Sequence, residues 1–285
     1  MVKTKDTMSY FNKNEIQGRR MTAYYQLIER NIQDDDSVTA HYRSTMLAQG
    51  AWNEHEQHMA PATGIMCAEL ERFQPRDDVR IGRISLDILG LIPAGEFQIE
   101  TKVIRAGKTI ELIESVMSSQ GKNCISARTW RMATSDTVAD QGLEDQNVQG
   151  PQDAPIWEEI KTWPGGYIQS IEARTHGRRS GKGIVWLSNK NDMVEGEETK
   201  DFVRLMGMVD TANGIVTREQ WPFKYAFPNL DLQIHLHRIP QGHWLGLETV
   251  QQFGADGIGL TSSVLHDEKG PFGRSEQILT LRKFG

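Results

Sequence analysis

Residues 229–249 read NLDLQIHLHRIPQGHWLGLET and residues 85–101 read SLDILGLIPAGEFQIET; both carry Leu-Asp, Ile-Pro-x-Gly, an aromatic residue and Glu-Thr in one order. The Leu-Asp pairs lie 144 residues apart and the Ile-Pro pairs 147, and upstream Ala62-Thr63-Gly64-Ile65 answers Ala212-Asn213-Gly214-Ile215 at 150. A repeat of this length is too long for a solenoid unit and matches a whole small domain. The chain is therefore expected to fold as two like domains in tandem.

Composition removes several classes of function. The net charge of −6 and pI near 5.8 leave no basic face, which argues against nucleic acid or an anionic membrane as partner. No apolar run approaches the ~20 residues that cross a bilayer. The start, MVKTKDTMSYFNKNE, lacks the apolar core of a signal peptide, so a cytoplasmic protein is expected. Cys67 and Cys124 are the only cysteines, too few for a disulfide framework or a cysteine-rich metal site.

Met21, Tyr24, Tyr25, Ile28 and Ile32 recur at roughly helical spacing, which predicts a helix over 15–32 within an N-terminal extension, residues 1–37. A first domain over 38–135 then reads as a short strand and a helix opening at Pro61. Strands follow near 79–91, 96–105, 109–118 and 124–132. Residues 136–162 are polar and rich in Asp, Gln, Gly and Pro, the composition of a linker. The second domain, 163–285, repeats the plan, with strands near 167–174 and 182–188 and a helix over 200–216. Further strands are expected near 231–238, 243–253, 259–266 and 277–283. One long helix held against an antiparallel sheet, twice over, is an α+β layer architecture.

Four stretches resemble a known family: Trp52-Asn-Glu-His-Glu-Gln-His58, the run Arg204 to Ile215, Asn229 to Arg238, and Gly270-Pro-Phe-Gly-Arg-Ser-Glu-Gln277. They are similar to the type II acyl-CoA thioesterases, whose fold is the double hotdog, and the likeness spans about residues 38–282. The resemblance implies an acyl-CoA substrate, no cofactor, and hydrolysis by an Asp, a Ser or Thr, and a Gln that hold one water. It also implies association into a homo-oligomer. Carried over by position, the Asp falls on Asp210 in the second helix and the Gln on Gln277 at the start of the last strand. The hydroxyl position falls on Asn229, an amide in place of the usual Ser or Thr, which implies weakened turnover. Through the repeat, the answering first-half positions are Ala60, Ser85 and approximately Ser126. Without a carboxylate there, one site per chain is expected.

Other candidates are weighed beside these. An acid at the edge of the stripe Met206, Val209, Asn213 is either a solvated helix carboxylate or a used one. His235 and His237 fall on one face of a strand and imidazole suits zinc, but no third ligand accompanies them, so no metal is expected. His55 and His58 precede the first helix, where they cap, pack or look into a substrate channel. The basic run Arg174 to Lys182 suits either phosphates or a solvated hairpin. No phosphate loop or serine-elbow motif is present. Two functions compete with hydrolysis: acyl-CoA binding without turnover, and a hydratase, which needs a His close after Asp210 that this chain lacks.

Overall fold

The computed structural model describes residues 22–219 and 222–284. The first half comprises strands β1 (Ala23–Ile32) and β2 (Val38–Ser44), helix α1 (Met59–Arg72), and strands β3 (Val79–Ile88), β4 (Glu96–Arg105), β5 (Ile110–Ser119) and β6 (Lys122–Ala133). The second half comprises helix α2 (Gly166–Ser170), strands β7 (Ile171–Arg179), β8 (Lys182–Asn189) and β9 (Asp192–Val194), and helices α3 (Asp201–Val209) and α4 (Ala212–Ile215). The chain continues through β10 (Tyr225–Ala226), β11 (Asp231–Leu236), β12 (Trp244–Phe253), β13 (Ile258–Asp267), β14 (Gly270–Thr280) and β15 (Arg282–Lys283). β10 pairs with β15, and the other 13 strands form one sheet in the order β7-β8-β12-β13-β14-β11-β3-β6-β5-β4-β2-β1-β9. Outward from the β11–β3 seam, the two halves run through equivalent strands in the same order. This is the double hotdog that the resemblance implies.

The helix expected over 15–32 is corrected by the structure. Residues 23–32 are strand β1, antiparallel to β2, while 15–21 lie outside the described residues. Ala23, Tyr24 and Tyr25 are consecutive and all buried, because this end of the strand is covered on both faces; without alternation, the strand period is lost from the sequence. The acidic triplet Asp34-Asp35-Asp36 is the hairpin turn. Asp35 Oδ1 accepts from the Ser37 hydroxyl at 2.6 Å and its N–H at 3.1 Å, and Asp36 takes a φ of 61°. Two further boundaries move. Residues Gly166–Ser170 are helical before β7 begins, and β14 starts at Gly270, so Gln277 sits within the last long strand instead of opening it. Gly273 is a close approach, since a Cβ there would lie 2.2 Å from the His235 carbonyl oxygen of the neighbouring strand.

The halves are offset by 148 residues through most of the sheet. Thr101 Oγ1 meets Ser115 Oγ at 3.0 Å just as Thr249 Oγ1 meets Ser263 Oγ at 2.8 Å. Ile81 pairs with Arg131 just as Asn229 pairs with Leu279. The helices follow a different offset. They run antiparallel and cross where Gly64 of α1 faces Gly207 of α3, an offset of 143. Ala62–Ile65 and Ala212–Ile215 are thus both helical, but the first lies near the start of α1 and the second forms the final turn, α4. The second half therefore holds five more residues between its helix and its central strand.

Both helices are packed onto the sheet through one continuous core that includes Ile84, Leu86, Phe97 and Ile125 from the first half and Leu187, Leu232, Leu247 and Phe272 from the second. In α1 every residue from Met59 to Leu70 is buried, since the sheet takes one face and α3 another; small residues Ala60, Ala62, Gly64 and Ala68 let the backbones approach. At Gly64 a Cβ would lie 2.9 Å from the Gly207 Cα, a backbone atom that cannot yield alone, whereas at Gly207 it would meet the flexible Met193 Cε at 2.9 Å. Gly64→Ala should therefore lower stability by about 1–3 kcal/mol despite the helix propensity gained, and Gly207→Ala by less than about 1 kcal/mol. Thermal unfolding of the two variants checks this; equal melting temperatures would show that the helices part without cost.

Candidate active site

Asp210 terminates α3. Its backbone remains right-handed helical, but the hydrogen bonds tighten from i→i+4 to i→i+3: Thr211 N–H reaches the Met208 carbonyl at 3.1 Å and Gly214 N–H the Thr211 carbonyl at 3.0 Å. This kink, which replaces the uninterrupted helix expected over 200–216, turns the carboxylate toward the sheet. Oδ1 accepts from Asn229 Nδ2 at 2.8 Å and from Gln277 Nε2 at 2.9 Å, and Gln277 Nε2 lies 3.3 Å from the Asp210 carbonyl oxygen. Asn229 is aimed by a second bond, from Nδ2 to the Asp231 carbonyl at 3.1 Å. Gln277 is fully buried, and its Oε1 has no hydrogen-bond partner among the described residues. The three residues named from the sequence thus meet around one carboxylate oxygen.

The other oxygen faces α1. His58 caps that helix, its Nδ1 accepting from the Ala60 N–H at 3.0 Å, and the same Nδ1 lies 3.6 Å from Asp210 Oδ2. Burial pushes the His58 pKa down to about 3, so the ring is neutral at pH 7; an Nδ1 that accepts leaves the proton on Nε2. The distance is that of an ion pair, but the neutral ring makes it a contact between a carboxylate and an uncharged imidazole. The ring packs on Tyr167 with centroids 4.4 Å apart, and the Tyr167 hydroxyl is 2.6 Å from Thr211 Oγ1. A pocket of about 60 Å³ opens here, with Asp210, His58 and Asn229 among its lining and Ile160, Trp163 and Ile168 closing one side. At its mouth Trp52 stands edge-on to Trp163 at 5.7 Å and to Phe227 at 5.6 Å. Phe227 belongs to the segment that is longer in the second half.

Residues 48–132 match the family described as the acyl-CoA thioesterase N-terminal domain, and residues 151–281 match its C-terminal domain. The chain belongs to the acyl-CoA thioesterase family. Its fold is similar to that of a protein with a hot dog fold from Alicyclobacillus acidocaldarius, at a TM-score of 0.72 and 11% identity, over 90% of this chain and 97% of the other. It is also similar to an acyl-CoA thioesterase II from Mycobacterium marinum, at a TM-score of 0.60 and 13% identity, over 90% and 96% of the two chains. No curated protein matches the chain in sequence.

Within this thioesterase fold, His58 is the neighbour of Asp210 that the sequence left among channel or capping residues. Both roles are visible, since it caps α1 and lines the pocket. Thr211 and Tyr167 were not singled out, and nothing short of the fold joins them across 44 residues. The offsets also move the first-half counterparts: Asp210, Asn229 and Gln277 answer to Cys67, Ile81 and Thr129, in place of Ala60, Ser85 and Ser126. His235 is exposed on β11, and His237 Nε2 lies 3.1 Å from the Pro271 carbonyl oxygen. The basic run forms the β7–β8 hairpin, where Arg174 lies over Trp244 at 5.0 Å and Arg178 over Trp157 at 3.9 Å. Among the described residues no helix is long and apolar enough to cross a membrane.

Burial raises the Asp210 pKa from 3.8 to about 6, while the bonds from Asn229 and Gln277 pull it back. The folded protein therefore holds this proton more tightly than the unfolded chain does. The cost of the carboxylate is absent below about pH 4, grows as pH rises toward 6, and is constant above; it is of order 3 kcal/mol. Asp210→Asn keeps an oxygen for both amide donors and removes the buried charge. At about pH 7.5 this variant should be more stable than wild type by about 1–3 kcal/mol, a gain that disappears toward pH 4. Chemical denaturation across that range tests it, and a variant less stable at neutral pH would show that the carboxylate is not held at a cost.

Proposed function

We propose that the protein hydrolyses an acyl-CoA thioester, with Asp210 as general base. The observation that supports this is a single buried carboxylate, fixed by two amide donors, on the floor of a pocket with an apolar mouth. An apolar wall suits the acyl chain, and a carboxyl group near pKa 6 is ionised at neutral pH yet basic enough to take a proton from water. In this reading water lies between Asp210 and the unpartnered Gln277 Oε1. It attacks the thioester carbonyl carbon as Asp210 removes its proton, and the carbonyl electrons move onto oxygen. His58 Nε2–H and the positive end of α1 face the developing oxyanion. Collapse re-forms the carbonyl, breaks the carbon–sulfur bond and releases the thiolate of CoA, which takes up the proton; the acid leaves as product.

Asn229 substitutes for a hydroxyl in one respect that the sequence did not reveal: its Nδ2 gives Asp210 the hydrogen bond a Ser or Thr would give. The amide thus covers the hydroxyl's task toward the carboxylate, and Asn229→Thr should retain turnover or raise it. Asn229→Ala should lower kcat several-fold, the worth of one hydrogen bond of about 1 kcal/mol. Because the Asn229 bond lowers the Asp210 pKa, its loss should also move the acid limb of the pH–rate profile upward from about 6. The assay is thiol release from acyl-CoAs of graded chain length. An acid limb unchanged in Asn229→Ala would remove this residue from the site. Absence of thiol release from every substrate would overturn hydrolysis in favour of acyl-CoA binding alone.

A further inference from the structure

The two-fold relation between the halves generates a second position for a site, at the opposite end of the helix pair. There Cys67, Ile81 and Thr129 stand where Asp210, Asn229 and Gln277 stand in the second half. No carboxylate stands at these three positions, and burial pushes the Cys67 thiol far above its ordinary range, so the arrangement around Asp210 has no counterpart here. A cleft is nevertheless present, and it is larger than the first: about 230 Å³ against about 60 Å³. Leu70, Glu71, Val79 and Ile81 in its wall are the counterparts of Asn213, Gly214, Phe227 and Asn229 in the Asp210 pocket, so the cleft is the duplicate of that pocket with its polar atoms replaced.

Four cationic side chains line this cleft, and their partners differ. Arg76 meets Asp78 at 2.7 Å and Glu111 at 3.3 Å, and Lys200 meets Glu71 at 3.4 Å. Arg131 is 5% exposed; its Nη1 is used on the carbonyls of Phe73 and Gln74 and its Nε lies 3.0 Å from Glu111, but Nη2 is buried with no hydrogen-bond partner among the described residues. Among the described residues Arg80 meets only carbonyl oxygens, those of Ile81, Leu236 and His237. Two guanidinium groups thus have donor capacity or charge left over, beside the apolar side chains of Leu70, Val79, Ile81, Phe202 and Ile239. A ligand that answers both features has one anionic, planar head and an apolar body.

We propose that this cleft binds an amphipathic monocarboxylate, of the class of a medium-chain fatty acid, and performs no chemistry on it. The carboxylate pairs with Arg80 and Arg131 and the chain lies along the apolar wall. Such an acid is of the same class that thioester hydrolysis releases, but binding here does not depend on hydrolysis at Asp210.

The experiment is calorimetric titration of the full chain with decanoate, and with decanol as a control for the head group. Ile239 is 53% exposed, so Ile239→Glu places a negative charge on the rim without disturbing the core, and Arg80→Gln removes one cation while keeping most of its length. Decanoate should bind the wild type, weaken at least tenfold in Ile239→Glu and several-fold in Arg80→Gln, and bind more tightly than decanol; thiol release should be unchanged in both variants. Failure of decanoate to bind the wild type would overturn the proposal. So would binding that neither variant weakens, which would place the ligand elsewhere, and equal affinity for decanol would overturn the pairing of the head with the arginines.

Discussion

The approach of α1 and α3 at Gly64 and Gly207 sets the geometry at both ends of the helix pair. Because two glycines face each other, the axes come close enough for the N-terminus of α1 to touch the C-terminus of α3, and His58 reaches to 3.6 Å from Asp210. At the opposite end the same closeness brings Lys200 to 3.4 Å from Glu71. A side chain at either glycine moves both ends, since a helix is stiff over four turns. The sheet contributes the third direction: β14 lies beside β11, so Gln277 and Asn229 approach Asp210 from below while His58 approaches from the side.

Asp210 is where stability and chemistry oppose one another. Two amide donors satisfy its hydrogen bonds without cancelling its charge, in contrast to Asp267, whose carboxylate is paired with Arg238 and whose pKa is lowered. An arginine beside Asp210 would make the fold more stable at neutral pH and the carboxylate a weaker base. The neutral His58 is consistent with the same arrangement: an imidazolium there would neutralise the carboxylate as an arginine would.

The repeat made the fold legible, because like strands recur in one order and β4 to β6 alternate clearly, with burial in β5 switching at every residue. It failed at β1, where burial on both faces erased the period, although the strand β7 in the second half already indicated an equivalent element about 147 residues earlier. It also misaligned the helices, because Ala-x-Gly-Ile occurs at opposite ends of the two and only their crossing shows which glycines correspond. Asp210, Asn229 and Gln277 were readable by resemblance. His58, Tyr167 and Thr211 were not, since a cap, a ring contact and a hydroxyl pair bring together residues far apart in sequence. The wall formed by Ile160 lay in a stretch whose composition signalled only a linker.

The short strand β9 pairs in parallel with β1, Ala23 opposite Asp192 and Tyr25 opposite Val194, at the far edge of the sheet from its own half. The edge of the N-terminal half is thus closed by a segment translated some 160 residues later. During synthesis the first half emerges with β1 unpaired along one side and α1 without its partner helix, an exposed edge of the kind that recruits other chains. Completion of the fold waits for α3 and β9 to leave the ribosome together, within residues 192–209. The tandem arrangement therefore leaves the half that is made first with a sheet edge and a helix face that segments of the second half cover.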